Sequence, residues 1–381
     1  MGVVEDRVEK NDPTLTELFI GRAIGNLNVI GYGGDSGSTG FCMPSDGYSF
    51  ARLGNAIGTN TALEGLNFVG SFDYELGDGD KRVLSGGIKR NSSINKLCFT
   101  RCTLSRGVGY ELLNSFEDDN RHLIGISMKN CDLGQRGFRA LTRALGSQCY
   151  VRYINLQSCG INDEFLANLI DAVKGYQRLE LLDLSSNNFG AEGCKILSTL
   201  IKDANSSLCT LALDRNSIDN NGATILANAL VNNTHLEELH LDGNQIAKDG
   251  WEAFSRVLCN TTTINDTYLS NHTLQCLEEF ESGIMPSELQ HVLDLNSSSQ
   301  NKEEVSIKKI LRSHAQLDMK SFFQCDLKIL PFAINWFEKT KGVTLNNEAE
   351  IDRRLLCTFY QFTRAMPMQV APVILHSVED K

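Results

Sequence analysis

A set of three apolar residues spaced three and then two apart, followed by a small polar slot and one more apolar residue, recurs along the chain. Ile94, Leu97, Phe99, Cys102 and Leu104 form one copy; Leu123, Ile126, Met128, Cys131 and Leu133 form the next; Val151, Ile154, Leu156, Cys159 and Ile161 form the third. Three more carry asparagine in the slot: Leu179, Leu182, Leu184, Asn187, Phe189; Leu208, Leu211, Leu213, Asn216, Ile218; and Leu236, Leu239, Leu241, Asn244, Ile246. A degenerate copy begins at Ile264, with Thr267 and His272 in the leucine and slot positions, and partial copies begin at Leu63 and Leu15. The first positions fall at 63, 94, 123, 151, 179, 208, 236 and 264, a period of 28 to 29 residues after one step of 31.

Each unit reads as a strand followed by a helix. The spacing at its start fits a strand with one face buried, since side chains alternate between faces with period two. The second half has helical spacing: Phe138, Leu141, Leu145; Phe165, Leu169, Val173; Ile196, Leu200; Ile225, Leu226, Leu230; and Phe254, Leu258. Gly137, Gly193, Gly222 and Gly250 read as turns that admit the chain to the helix. A strand, a helix and a short return force neighbouring strands to be parallel, with the helices all on one side. The slot lies where the chain leaves the strand. A buried amide satisfies the turn's backbone there, and a small thiol fills the same space as a weak donor, so Cys102, Cys131 and Cys159 read as structural.

A pattern of this form and period resembles the leucine-rich repeat family, and its length resembles the ribonuclease-inhibitor-like subclass. The resemblance covers residues 60 to 275 firmly. It implies an α/β solenoid, a horseshoe with a parallel sheet on the concave face and helices on the convex face. Residues 1–62 are then an N-terminal capping region with a degenerate repeat and a Gly-rich insert at 31–47, residues 63–280 the repeats, and residues 281–381 a helical C-terminal cap. The polar run Asn296 to Asn301 reads as an exposed turn, and apolar helical patterns follow at Val305 to Leu311, Leu327 to Phe337 and Leu355 to Phe362. Asp318 sits at a helix start.

Composition narrows the function classes. The chain has 381 residues, 36 basic against 47 acidic, for a net charge of −11. Nucleic acid and anionic lipid are therefore not expected partners, since both need a cationic surface. Residues 301–381 hold 12 basic and 10 acidic groups, or +2, which leaves 24 against 37 for residues 1–300. The acidity thus belongs to the repeats. No signal-peptide pattern or run of 18 apolar residues occurs, so a cytoplasmic, reducing location is the expectation, with the twelve cysteines as thiols.

No constellation for catalysis emerges. Gly34, Asp35, Ser36 and Gly37 resemble a protease nucleophile segment, but the first histidine is His122, after the serine, and Ser38 and Thr39 depart from that pattern. There is no phosphate-binding loop, and the seven histidines do not pair at metal spacing, so neither metal nor cofactor is expected.

The outward strand positions remain. They include Lys96, Arg101 and Lys129 early, Tyr153, Asn155 and Gln157 in the middle, and Asp183, Asp214, Arg215, Glu238, His240, Asp242, Asp266 and Tyr268 late. Positive charge thus gives way to negative along the row. That order suits an elongated protein partner presenting a basic segment to the later repeats; a solvated face with no selected charge order would give the same row. The resemblance implies a non-enzymatic scaffold binding a protein on the concave face. The alternative is a regulator of an enzyme in trans, like the Ran GTPase-activating protein, which shares the subclass but ends in a strongly acidic tail.

Overall fold

The computed structural model describes residues 7–21, 50–70, 78–114, 123–146, 150–278, 285–299 and 301–314. The Gly-rich stretch at 31–47, the Ser36 loop, His122, His376, Asp318 and the expected helices beyond 314 lie outside the described residues.

Among the described residues nine strands form one sheet in chain order, every neighbouring pair parallel. They are β1 (Glu17–Gly21), β2 (Gly65–Val69), β3 (Lys96–Thr100), β4 (Gly125–Lys129), β5 (Tyr153–Asn155), β6 (Leu181–Asp183), β7 (Thr210–Ala212), β8 (Glu238–His240) and β9 (Cys276–Glu278). Helices α1 (Phe50–Thr59), α2 (Asp78–Arg90), α3 (Gly107–Asn114), α4 (Gly134–Gly146), α5 (Asp163–Val173), α6 (Ala191–Ile201), α7 (Asn220–Ala229) and α8 (Lys248–Leu258) alternate with the strands, one per repeat. This is an α/β leucine-rich-repeat solenoid. Three helices follow: α9 (Ile264–Tyr268), α10 (Ser287–Ser297) and α11 (Lys302–Ser313). The chain divides into two compact units, Met1–Phe254 with Thr273–Ser287, and Ser255–His272 with Glu288–Lys381.

Within the first unit the core follows the repeat. Leu97 and Phe99 of β3 are buried while Lys96 on the same strand is exposed, and this alternation recurs down the sheet. Phe68 stacks on Phe99 with ring centroids 5.0 Å apart, so equivalent positions of successive repeats touch. Each such buried side chain contributes about 1.5–3 kcal/mol of transfer free energy. On α4, Phe138, Leu141 and Leu145 make the buried stripe the spacing predicts. Phe165, Ile196 and Ile225 are only half-buried, and their neighbours Leu166, Leu197 and Leu226 point into the core instead. Phe165 packs sideways, stacked on Phe138 at 4.3 Å.

The slot residues do what the sequence implies. Cys102, Cys131 and Cys159 donate from Sγ to Phe68 O, Phe99 O and Met128 O of the preceding strand, at 3.4, 3.4 and 3.1 Å. Asn187, Asn216 and Asn244 donate from Nδ2 to Leu156 O, Leu184 O and Leu213 O, the equivalent carbonyls, at 3.0, 3.2 and 2.9 Å. A proton-sharing contact with Cys131, with burial added, holds the Cys102 and Cys159 thiols above their ordinary range.

The residue before the slot is left-handed in every repeat from β2 to β8: Gly70, Arg101, Asn130, Ser158, Ser186, Arg215 and Gly243, with φ of 88, 57, 54, 55, 55, 53 and 66°. Outside glycine this backbone costs about 1–2 kcal/mol. Replacing Arg215 by glycine should therefore raise the urea midpoint, through a stability gain of up to about 1 kcal/mol once glycine's greater freedom in the unfolded chain is subtracted. A fall of that size would show that the Arg215 side chain outweighs its backbone.

Three expectations are corrected. The glycines read as helix-entry turns lie inside the helices, where they allow close packing: a Cβ on Gly193 would sit 2.7 Å from Phe189 Cβ, and one on Gly250 2.7 Å from Ile246 Cγ2. The degenerate copy at Ile264 is not a strand but helix α9. Thr263 caps it, accepting from Asp266 N at 3.0 Å while its hydroxyl donates to Asp266 Oδ2 at 2.7 Å, and the last strand lies instead at β9 behind Leu274. Asn296, read as part of an exposed turn, is fully buried near the end of α10. The helix expected at Val305 is present as α11, capped by Asn301.

Candidate functional site

Parallel register lines the outward side chains into rows. One row runs Lys96, Gly125, Tyr153, Leu181, Thr210, Glu238, and the next runs Cys98, Ser127, Asn155, Asp183, Ala212, His240. A third begins at Thr100 and Lys129 and continues through Gln157, Ser185, Asp214 and Asp242, where the chains leave the strands. There the turn amides step across the sheet: Asn130 N donates to Gln157 O, Ser158 N to Ser185 O, Ser186 N to Asp214 O and Arg215 N to Asp242 O, at 2.7 to 3.0 Å.

Of the residues picked from the sequence, Lys96, Arg101, Arg215 and Glu238 are exposed, and Lys129, Gln157, Asp183, Asp214, His240 and Asp242 are half-buried. Tyr153 is 40% exposed. Asn155 stands in the row but is buried, its Nδ2 donating to Asp183 Oδ2 at 2.5 Å and its Oδ1 accepting from Gln157 N. Asp266 and Tyr268 belong to α9 and to no strand, because the capping pair at Thr263 turns that stretch into a helix.

The acidic end is held in place by its neighbours. Asp183 Oδ1 accepts from Ser185 N at 3.0 Å, Asp214 Oδ1 accepts from Asp242 N at 2.8 Å, and Thr210 Oγ1 donates to Glu238 Oε2 at 3.2 Å. Partial burial lifts the Asp214 carboxyl above its ordinary value, against the bond from Asp242 N. Asp183 and Asp214 carry no ion pair among the described residues. His240 Nε2 lies 3.5 Å from Glu238 Oε2. Cys98, between the lysines and Glu17, is pushed up to about 11 by burial, so its thiol stays protonated at neutral pH.

Tyr153 was picked from the sequence, but the residues around it were missed. Arg152 clamps Glu180 with two bonds of 2.8 Å, Tyr153 donates its hydroxyl to Glu180 Oε2 at 3.3 Å, and the Arg152 guanidinium lies 5.5 Å from the Tyr153 ring centre. Arg178 stands likewise over Tyr150, itself 40% exposed. Arg152 and Glu180 are 28 residues apart, one repeat period, so the register could have paired them.

Comparison with known proteins agrees with this architecture. A family profile described as Leucine Rich repeat matches residues 178–198 and 232–255. Mouse NACHT, LRR and PYD domains-containing protein 14 is 30% identical over 152 residues, 38% of this chain and 15% of that one. The mouse ribonuclease inhibitor is 28% identical over 216 residues, 49% of this chain and 47% of that one, and the pig ribonuclease inhibitor is 29% identical over 191 residues, 50% and 42%. The matched part thus spans less than half the length of each relative. Together with the fold, these matches support a leucine-rich repeat family. Within it, the repeats are of the ribonuclease-inhibitor-like kind, a strand and a full helix in each unit of 28 to 29 residues.

Proposed function

We propose that the chain is a non-enzymatic scaffold that binds an elongated protein partner along the outward face of β3 to β8, with a basic segment of the partner on the later strands. Two of the relatives are, by name, inhibitors of ribonuclease, and so act on another protein. The observation that carries the reading is the half-buried pair Asp183 and Asp214, carboxylates held by N–H donors but with no counter-charge in an ion pair among the described residues, set beside Glu238 and Asp242. Partly buried charge of one sign is costly to leave unanswered, and a cationic segment laid across it recovers that cost. Lys96, Arg101 and Lys129 give the opposite end of the face the opposite sign, which fixes the direction in which a partner lies. Tyr153, held between Arg152 and Glu180, adds a rigid aromatic contact of the kind that dominates interfaces. In this reading residues 63–280 carry the surface, residues 1–62 and 281–381 cap the array, and the protein works in the cytoplasm without a cofactor.

Affinity purification followed by mass spectrometry tests it, comparing the wild type with Glu238→Lys alone and with Asp214→Lys, Glu238→Lys and Asp242→Lys together. Partners held by the wild type should be depleted in the single variant and lost in the triple. Recovery of the same partners by a folded triple variant would overturn the proposal.

A further inference from the structure

In the unit formed by Ser255–His272 and Glu288–Lys381, a lysine occupies a place costly for its charge. Lys309 of α11 has no exposed surface, yet its Nζ donates to Leu258 O at 2.6 Å and Asn271 O at 2.9 Å. One amine thus joins three segments: the end of α8, the loop around residue 271, and α11. Beside it, His272 is also buried, with Nε2 2.9 Å from Tyr268 O and with Nδ1 lacking a hydrogen-bond partner among the described residues.

The surrounding charges do not answer this pair. Cys259 at the end of α8 and Lys302 on α11 bear on Lys309, and Lys302 bears on His272 as well. The carboxylates of the packed elements are engaged elsewhere: Asp266 of α9 with Thr263 at 2.7 Å, Asp294 of α10 with Gln290 at 2.9 Å, and Glu304 of α11 with Lys308 at 2.8 Å. Glu288 and Glu303 are exposed. A buried ammonium with no carboxylate at hand among the described residues gives up its proton more readily than one in water. Burial, with Lys302 in the same sense and Cys259 against it, brings Lys309 down to about 7, and burial with the charge of Lys309 brings His272 down to about 4.

We propose that Lys309, with His272 beside it, is a pH-sensitive latch: uncharged, it closes α11 onto the end of α8 and the 271 loop, and protonated, it loosens that junction. The direction follows from linkage. Opened, the lysine keeps its proton up to its ordinary value near 10.5; closed, it keeps it only up to about 7. Between those values the opened form binds the extra proton, so the latch strengthens as pH rises through this window and weakens as pH falls through it. Below about 7 Lys309 adds nothing further, and His272 produces a second loss between 6.5 and about 4.

The test uses the full chain. Amide hydrogen exchange of α11, corrected for the intrinsic rate at each pH, should show an opening constant that grows roughly tenfold for each unit of pH lost between pH 9 and 7.5. Lys309→Met should be flat over that range and should still loosen below pH 6.5. Should the variant fail to fold, the 13Cε resonance of Lys309 in the wild type decides alone, with an expected midpoint near 7. A midpoint near 10.5, a wild-type opening constant independent of pH, or an equal slope in Lys309→Met would each overturn the proposal.

Discussion

Replacing Gly87 by alanine should cost at least about 3 kcal/mol, the upper end of overpacking penalties, and should unravel the first helices of the array. Gly87 of α2 lies against Gly54 of α1 backbone to backbone. A Cβ on Gly87 would land on the Gly54 carbonyl oxygen, and one on Gly54 would stand 2.6 Å from Val83 O and 2.7 Å from Leu84 Cα. These neighbours are main-chain atoms, so no side-chain rotation relieves the clash and the two helices must separate. The separation strips contacts from Leu53, Ile57, Leu84 and Ile88, all buried. Gly79, on the same helix with open space where its Cβ would be, is the control: Gly79→Ala should be neutral or stabilise by up to about 1 kcal/mol through helix propensity. Urea unfolding of the two variants separates the effects, and equal midpoints would mean that the two helices do not meet as described.

The second large effect is expected at Asn187. Its Nδ2 donates to Leu156 O, Leu184 O and Ser185 O at 3.0, 2.8 and 3.3 Å, and its Oδ1 accepts from Cys159 N and Ile161 N at 3.2 and 2.9 Å. One buried amide thus serves the turns of two repeats. Asn187→Leu keeps the volume and removes every bond, leaving buried backbone groups unanswered at about 1–3 kcal/mol each, so a total near 4 kcal/mol is expected after partial relaxation. Asn187→Cys should lose less, because a thiol in this slot donates to the preceding strand, as Cys159 does to Met128 O at 3.1 Å. Thermal melts should rank wild type above Asn187→Cys above Asn187→Leu. A cysteine variant no better than leucine would refute the equivalence of the two slot residues.

That equivalence was legible in the chain, because it depends only on where the slot falls in the period. The outward rows were legible for the same reason: once Leu97, Ile126, Ile154, Leu182, Leu211 and Leu239 are set inward, Lys96, Tyr153, Asp183 and Glu238 have no other side to face. Legibility failed where a local signal competed with the period. At Ile264 the apolar spacing suggests a strand, but Thr263 and Asp266 cap each other and a helix turn forms there, with the strand displaced to Leu274 and Leu277. Asn155 failed differently. Alternation put it outward correctly, but its bond to Asp183 buries it, and burial depends on a neighbour 28 residues away.

A second asparagine series, unread in the sequence, shows the same limit. Asn60, Asn91 and Asn233 each close the return from helix to strand: Asn91 donates to Ile57 O and Asn60 O and accepts from Ser93 N and Ile94 N. Asn91 begins an Asn-x-Ser triplet, yet the fold buries it.

By itself the sequence determined the period, the strand-and-helix unit, the parallel order of the strands, the inward and outward sets from β2 to β8, and the sign of charge along the outward rows. These follow from spacing, since a strand alternates every two residues and the period repeats. Tertiary structure alone decided which outward carboxylates are half-buried, that Arg152 and Glu180 lock Tyr153, that Gly54 and Gly87 must stay bare, and that Lys309 is buried on two carbonyls. The physical reason is common to all four. Each depends on which atoms of distant segments come within a few ångströms of each other, and the repeat pattern does not carry that distance.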